Sequence, residues 1–397
     1  MHAALEYLAI GVLIVLFLIV AFEVVNVVTG RLETVKEEQL YNVAERVMDK
    51  VLLTPGDPPD WGTNPNATLT DFGLALNGTR TPYVVDPDKV MRLANLTTLP
   101  NPLLVNSTEI AGMLGLSGKY GFRLEMKPLL SVNVTPLAFY PVPGSPAPGI
   151  PSVVRVQVYN WYDFGVPGAN VTAILVLAKA TPLPGGGSNV SYVIFAKSNA
   201  TDALGYAEMN FTDEISSALS TFNTKLLFHF YIIHVDWKGF VAVAGYSLPP
   251  APGAPTTGYI IGDYVIVNSS VNVGNLSGAI ITRDEVVQAL PEYRSLLATT
   301  SITWYNATPF NFTVPLPPGD FKVGKISYLE RLSSHVFVLG EWNGSLIVIV
   351  VNRIPSIDIS YGSRASMPAN SVVITRIAQI YNYPYLVRLT IWRGVEG

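Results

Sequence analysis

The chain contains no cysteine in 397 residues. That excludes disulfide scaffolding, thiolate chemistry and zinc knuckles. Histidine is nearly as scarce. His2, His229, His234 and His335 are too scattered to form a metal site, and His229 and His234 stand five apart in an expected strand, on opposite faces. Charge is thin as well: 14% of residues are charged, with a net charge of −4. No basic footprint for a nucleic acid results, and no nucleic-acid contact is expected. The P-loop, G-x-G-x-x-G, H-E-x-x-H and G-x-S-x-G signatures are all missing. Asp202, Glu208, Asp213 and Glu214 could be drawn as a calcium or glycosidase cluster, but they fall at expected strand ends, where carboxylates ordinarily face solvent. Neither catalysis, nor a metal, nor a cofactor is expected.

What the chain does have is a greasy start. Tyr7 to Phe22 reads YLAIGVLIVLFLIVAF, sixteen residues without a charge. At ~1.5 Å per residue this run measures ~24 Å, near the lower limit for spanning a bilayer. Beyond Gly30 the apolar residues thin to a stripe of Leu32, Val35, Leu40, Val43, Val47 and Val51, with charged residues between them. That spacing predicts an amphipathic helix with one face to bury. Thr54-Pro55-Gly56-Asp57-Pro58-Pro59 ends it, because proline cannot donate into the ladder and disfavours helix in its predecessor. One long helix over residues 1–55 is expected, kinked near Gly30.

HAALEYLAIGVLIVLFLIVAF resembles the start of archaeal type IV pilin-like proteins of the class III signal peptide family. His2, Ala4 and Glu6 match that family's polar first residue, small third residue and glutamate at the fifth position if the mature chain begins at His2. The mature start is Met1 or His2. The resemblance implies processing by a prepilin peptidase-like enzyme, residence in the membrane before assembly, and a helical filament of identical subunits. It also implies that His2 and Glu6 serve assembly, Glu6 by meeting a neighbouring subunit's terminal amine. Independently, a carboxylate in an apolar helix is costly and needs a partner.

Asparagine carries a second signal. Fourteen positions fit N-x-S/T: Asn66, Asn77, Asn95, Asn106, Asn133, Asn170, Asn189, Asn199, Asn210, Asn268, Asn275, Asn306, Asn311 and Asn343. None precedes Asn66. This density, starting just after the helix, points to an extracytoplasmic glycoprotein, whereas a Thr-rich β-protein would generate some sequons by composition alone.

Two Pro/Gly-rich stretches, residues 136–151 and 248–258, divide the remainder. Between them residues 152–247 carry six β-rich runs: Val153–Trp161, Ala169–Ala178, Val190–Lys197, Tyr206–Phe211, Leu226–Val235 and Phe240–Tyr246. Short strands separated by turn residues predict an all-β sandwich. VQVYNWYDFGVPGANVTAIL and TDALGYAEMNF resemble hairpins of immunoglobulin-like or carboxypeptidase-regulatory-like surface modules. The flanks, residues 56–135 and 259–397, then form a second, split unit. In it Asp86-Pro87-Asp88 and Ser107 start short helices, Tyr120–Val134 reads as a strand, and Thr282-Arg283-Asp284-Glu285 opens a helix to about Ala298. Phe337–Leu339, Leu346–Val351, Val372–Ile380 and Val387–Trp392 read as strands.

The expected fold is therefore α+β and mainly β. A long N-terminal hydrophobic helix precedes a β-sandwich head that holds an inserted all-β immunoglobulin-like domain. Two functions fit. One is a structural subunit of an extracellular type IV pilus-like filament, a homo-oligomer joined through the N-terminal helix and displaying a glycosylated head. The other is a monomeric membrane-anchored surface adhesin, whose inserted module takes a surface or cell ligand.

Overall fold

The computed structural model describes residues 2–96, 98–142, 149–182, 188–221, 227–273, 278–282, 297–307, 309–310, 312, 320–327, 329, 333–362 and 371–394. In the first helix, side chains are described at residues 13, 15–26 and 35–53. In chain order the elements are α1 (His2–Leu53), α2 (Pro87–Met91), α3 (Ser107–Met113), β1 (Tyr120–Pro128), β2 (Leu130–Tyr140), β3 (Ile150–Asn160), β4 (Asn170–Pro182), β5 (Ser188–Ala200), β6 (Tyr206–Asn210) and α4 (Thr212–Thr221). Then follow β7 (Leu227–Trp237), β8 (Phe240–Tyr246), β9 (Tyr259–Ile261), β10 (Tyr264–Asn268), β11 (Gly278–Thr282), β12 (Leu297–Trp304), β13 (Phe321–Ile326), β14 (His335–Trp342), β15 (Ser345–Asn352), β16 (Ile357–Tyr361), β17 (Ser371–Ile380) and β18 (Tyr383–Arg393).

α1 has 52 residues and a length of roughly 78 Å at ~1.5 Å per residue. Its C-terminal part is packed against the body. Leu40, Ala44, Val47, Met48, Val51 and Leu52 are buried at helical spacing and share a core with Ile374, Ala378, Leu389 and Ile391 of β17 and β18. Each of the larger side chains, Leu, Val, Ile and Met, contributes about 1.5–3 kcal/mol on burial. Ala44, Met48 and Leu52 join the buried face, while Val35 stays 48% exposed, so the face is rotated from the expected stripe. Thr54 closes the helix, its N–H and hydroxyl both donating to the Lys50 carbonyl.

Four sheets follow. The head sheet has the order β16-β1-β18-β17 and lies on α1. A three-stranded sheet (β2-β3-β6) faces a four-stranded one (β5-β4-β7-β8) across a core containing Val154, Val156, Leu175 and Tyr231. The fourth sheet runs β15-β14-β11-β12-β13-β10-β9 and curls around Val265, Ile281, Val338 and Ile349. A parallel bridge between Thr257 and Val350, with the Val350 N–H donating to Thr256 O at 2.8 Å, brings the chain before β9 back to β15. The sheet is nearly barrel-like.

The four-stranded sheet is apolar on both faces. Ile174, Val176, Phe228, Phe230 and Ile232 point away from the sandwich and into the core shared with Phe337, Leu339 and Val348 of the curled sheet. Phe230 stacks on Phe337 with ring centroids 4.0 Å apart. Period-2 alternation sends each strand's two apolar sets to opposite neighbours, so this sheet is the middle layer of three.

These findings correct the expected fold class. The chain is mainly β, its strands distributed over several sheets instead of one split sandwich with an insert. The membrane-crossing helix is corrected too: among the described residues, no helix is long and apolar enough to cross a membrane. This says nothing of crossing by strands.

Boundaries also differ. The expected strand Tyr120–Val134 breaks at Leu129, β1 pairing in the head sheet and β2 with β3 in the sandwich. The sandwich thus begins at Leu130, inside the expected flank. Pro136, expected in a linker, lies in β2, an edge strand with a register shift between Pro136 and Ala138, where a missing donor is tolerated. Asp213 and Glu214, expected at strand ends, form the first turn of α4. Residues 283–296 of the expected helix over 282–298 lie outside the described residues; Thr282 ends β11 and Leu297 opens β12.

Candidate functional site

Two regions of the surface are unlike the rest. The first is an exposed apolar section of α1. Leu13, Leu16, Phe17, Val20, Phe22, Val24 and Val25 are between 53% and 74% exposed. Successive residues of a helix point about 100° apart, so Leu16, Phe17, Leu18, Ile19 and Val20, all more than half exposed, put apolar side chains on every side. His2 and Glu6 fall in the same helix, but their side chains lie outside the described ones.

Most of the described sequons map to the outer surface. Asn66, Asn77, Asn95, Asn106, Asn133, Asn170, Asn199, Asn210, Asn306 and Asn343 are exposed, and Asn268 is half-buried. Asn275 and Asn311, with the side chain of Asn189, lie outside the described residues. Exposure is not equivalence. The Asn199 amide donates to the Glu208 carbonyl at 3.1 Å, and the hydroxyl of its partner Thr201 is buried, donating to Val166 O. Asn77 and Asn343 stand at turns, Asn343 with φ +49°.

The second region is a cleft of about 890 Å³ where residues 59–88 meet the β9–β10 hairpin, Arg353 and Tyr381. Asp86 and Asp88 line it, and beneath them lies a buried polar cluster built by α2. Asp86 caps this helix, its carboxylate accepting the Asp88 N–H at 3.0 Å, and Pro87 presets the first turn. Lys89, fully buried, donates to the carbonyls of Pro55 and Ala75 at 2.8 Å each, with its ammonium 3.9 Å from Asp86. Arg92 donates to Trp61 O at 2.6 Å and Leu103 O at 3.2 Å, with its guanidinium beside the Trp61 ring. Asp88 reaches across to Arg353, 3.4 Å away, which also donates to Ser333 O.

Burial sets the charge states here. It pushes the Asp86 carboxyl up to about 6, the adjacent Asp88 charge adding to the effect. Burial also raises Asp88, against the pull of Arg353. It lowers the Lys89 ammonium and brings Arg92 down to about 10. The walls are closely fitted. At Gly262, with φ +57°, a Cβ would stand 2.6 Å from the Thr63 carbonyl, so only glycine lets the hairpin approach so near.

The carboxylates singled out in the sequence do not converge. Asp202 accepts the N–H groups of Leu204 and Tyr206 in a turn, Glu208 pairs with Arg155 at 2.6 Å, and Glu214 with Lys197 at 2.9 Å. Among the described residues no group could hold a metal ion. The cleft was not anticipated as a site, although DPDKVMR, with four charged residues in seven, stood out in a chain only 14% charged. Its partners Gly262, Arg353 and Tyr381 carry no local signal.

No family model matches the chain, and no curated protein does. Among solved structures, that of invasin, a bacterial integrin-binding protein, aligns with 66% of this chain at 11% identity and a TM-score of 0.16. The chain covers 56% of that structure's length, and a score so low defines no shared fold.

Proposed function

We propose that this protein is a structural subunit of an extracellular filament, assembled with copies of itself through α1 and displaying its β-rich body outward. The supporting observation is the run from Leu16 to Val20, apolar on all sides and exposed, in a helix whose other end is docked on the head sheet. A single partner helix would cover one stripe of it. Several neighbours are needed to cover every side, and a helical array of identical chains supplies them. The resemblance of HAALEYLAIG to pilin-like starts favours the same reading, with Glu6 pairing to a neighbour's terminal amine. Exposed sequons on the body fit a glycosylated outer surface.

Replacing Phe17 and Val20 together by Glu tests the proposal. These positions are far from the buried face of α1, so folding of the body should survive, as read by an unchanged melting temperature. The unaltered chain should form filaments or large assemblies in electron micrographs and light scattering, and the double variant should be monomeric. An unaltered chain that stays monomeric at high concentration would sink the filament and favour a surface adhesin.

A further inference from the structure

We propose that the cleft at the junction of α2 and the β9–β10 hairpin binds a neutral saccharide. Its lining joins carboxylates (Asp60, Asp86, Asp263) and amides (Asn64, Asn382) with the ring of Tyr264. Carboxylates accept, and amides both donate and accept, which suits an array of hydroxyls; an aromatic ring supplies an apolar face for the C–H side of a sugar.

The volume of about 890 Å³ lies within the range of small-ligand sites, ~300–1,000 Å³. Four aspartates line the cleft, Asp60, Asp86, Asp88 and Asp263, against two cations, Lys325 and Arg353. Arg353 is already engaged by Asp88 and Ser333. With Lys89 and Arg92 buried just beneath, the four carboxylates face four cations, and a charge-balanced site favours a neutral ligand over a phosphate or other anion. Lys89 and Arg92, held by backbone carbonyls, keep the floor preformed, so little ordering cost falls on the ligand.

The saccharide has two sources. Asn66 and Asn77 both line the cleft, so a glycan on either could fold back into it. Alternatively the sugar belongs to another molecule.

An array of neutral and acidic glycans, probed with unglycosylated chain from a host lacking N-glycosylation, tests the site. Neutral glycans should bind and sialylated or sulfated ones should not. The exposed-wall variant Asp60→Ala/Asp263→Ala should lose binding at least tenfold with an unchanged melting temperature. Natively glycosylated chain separates the sources. If its own glycan fills the cleft, it binds nothing until Asn66→Gln/Asn77→Gln frees the site; if the ligand is foreign, it binds as well as the unglycosylated chain. Absence of any neutral-glycan binding by unglycosylated chain, binding retained in the wall variant, or binding of spermidine in place of glycans overturns the proposal.

Discussion

Asp88 and Arg353 stand 3.4 Å apart across 265 positions of sequence, both buried, and tie α2 to the strand end of the curled sheet. Both side chains are largely withdrawn from water, at 6% and 11% exposure for Arg353 and Asp88. Removing one leaves the other charge buried and uncompensated, a change costing ~3–5 kcal/mol. Arg353→Ala is therefore expected to lower the free energy of urea unfolding by about 3 kcal/mol or more. A loss below about 1 kcal/mol would show that Arg353 finds water or another partner.

Asp86 gives a pH dependence of defined sign. Its folded pKa, about 6, lies above the ordinary value of 3.8, so folding favours its protonated form. The resulting stabilisation is complete below pH 3.8 and is lost as pH rises through 6. At ~1.36 kcal/mol per unit the difference is about 3 kcal/mol. Asp86→Asn keeps the cap without the charge. It should match the unaltered chain near pH 4 and exceed it by roughly 1–3 kcal/mol at pH 7.5. An Asn variant less stable at pH 7.5 would show that the charge is compensated.

His335 works in the opposite direction. Burial lowers its pKa to about 3, with Nδ1 2.9 Å from the Ser334 hydroxyl and the ring near Phe337. Its contribution is complete above pH 6.5 and is lost as pH falls toward 3, about 3 kcal/mol being gone by pH 4. His335→Asn should flatten the acid limb of a thermal stability profile between pH 6.5 and 4. Parallel acid limbs in the two proteins would remove His335 from the account.

The sandwich should not be separable. Deleting residues 130–247 uncovers Phe337, Leu339 and Val348, and the excised piece uncovers Val176, Phe228, Phe230 and Ile232. Patches of that kind promote aggregation. Both products are expected to be insoluble or to bind a hydrophobic dye strongly, while the intact chain does neither. A soluble, cooperatively folded fragment would mean that the two sheets dock only weakly.

If modification follows folding, glycans should discriminate among exposed sequons. Asn77 and Asn343, at open turns, should be occupied, and Asn199, with its amide bonded and Thr201 buried, should not. Site-resolved mass spectrometry of native protein checks this. Full occupancy at Asn199 would place modification before folding.

The sequence alone determined what nearest neighbours decide. Alternation located β3 to β8 to within a few residues, Asp86-Pro87 marked the start of α2 through its cap, and Thr54-Pro55 marked the end of α1. Tertiary structure decided which strands share a sheet, and hence the architecture. β1 pairs with β16 and β18 more than two hundred residues later, and no local pattern encodes such a partner. Leu129 looked like part of one strand because alternation continues through a break that only pairing reveals. The runs in β4 and β7, apolar on both faces, were consistent with a sandwich core but did not say what the second face meets; Phe337 does. The cleft shows the same division. Asp86, Asp88 and Lys89 lie close together in sequence and could be read as a helix start, yet the cleft above them forms where Gly262, Arg353 and Tyr381 arrive from turns and strand ends far along the chain.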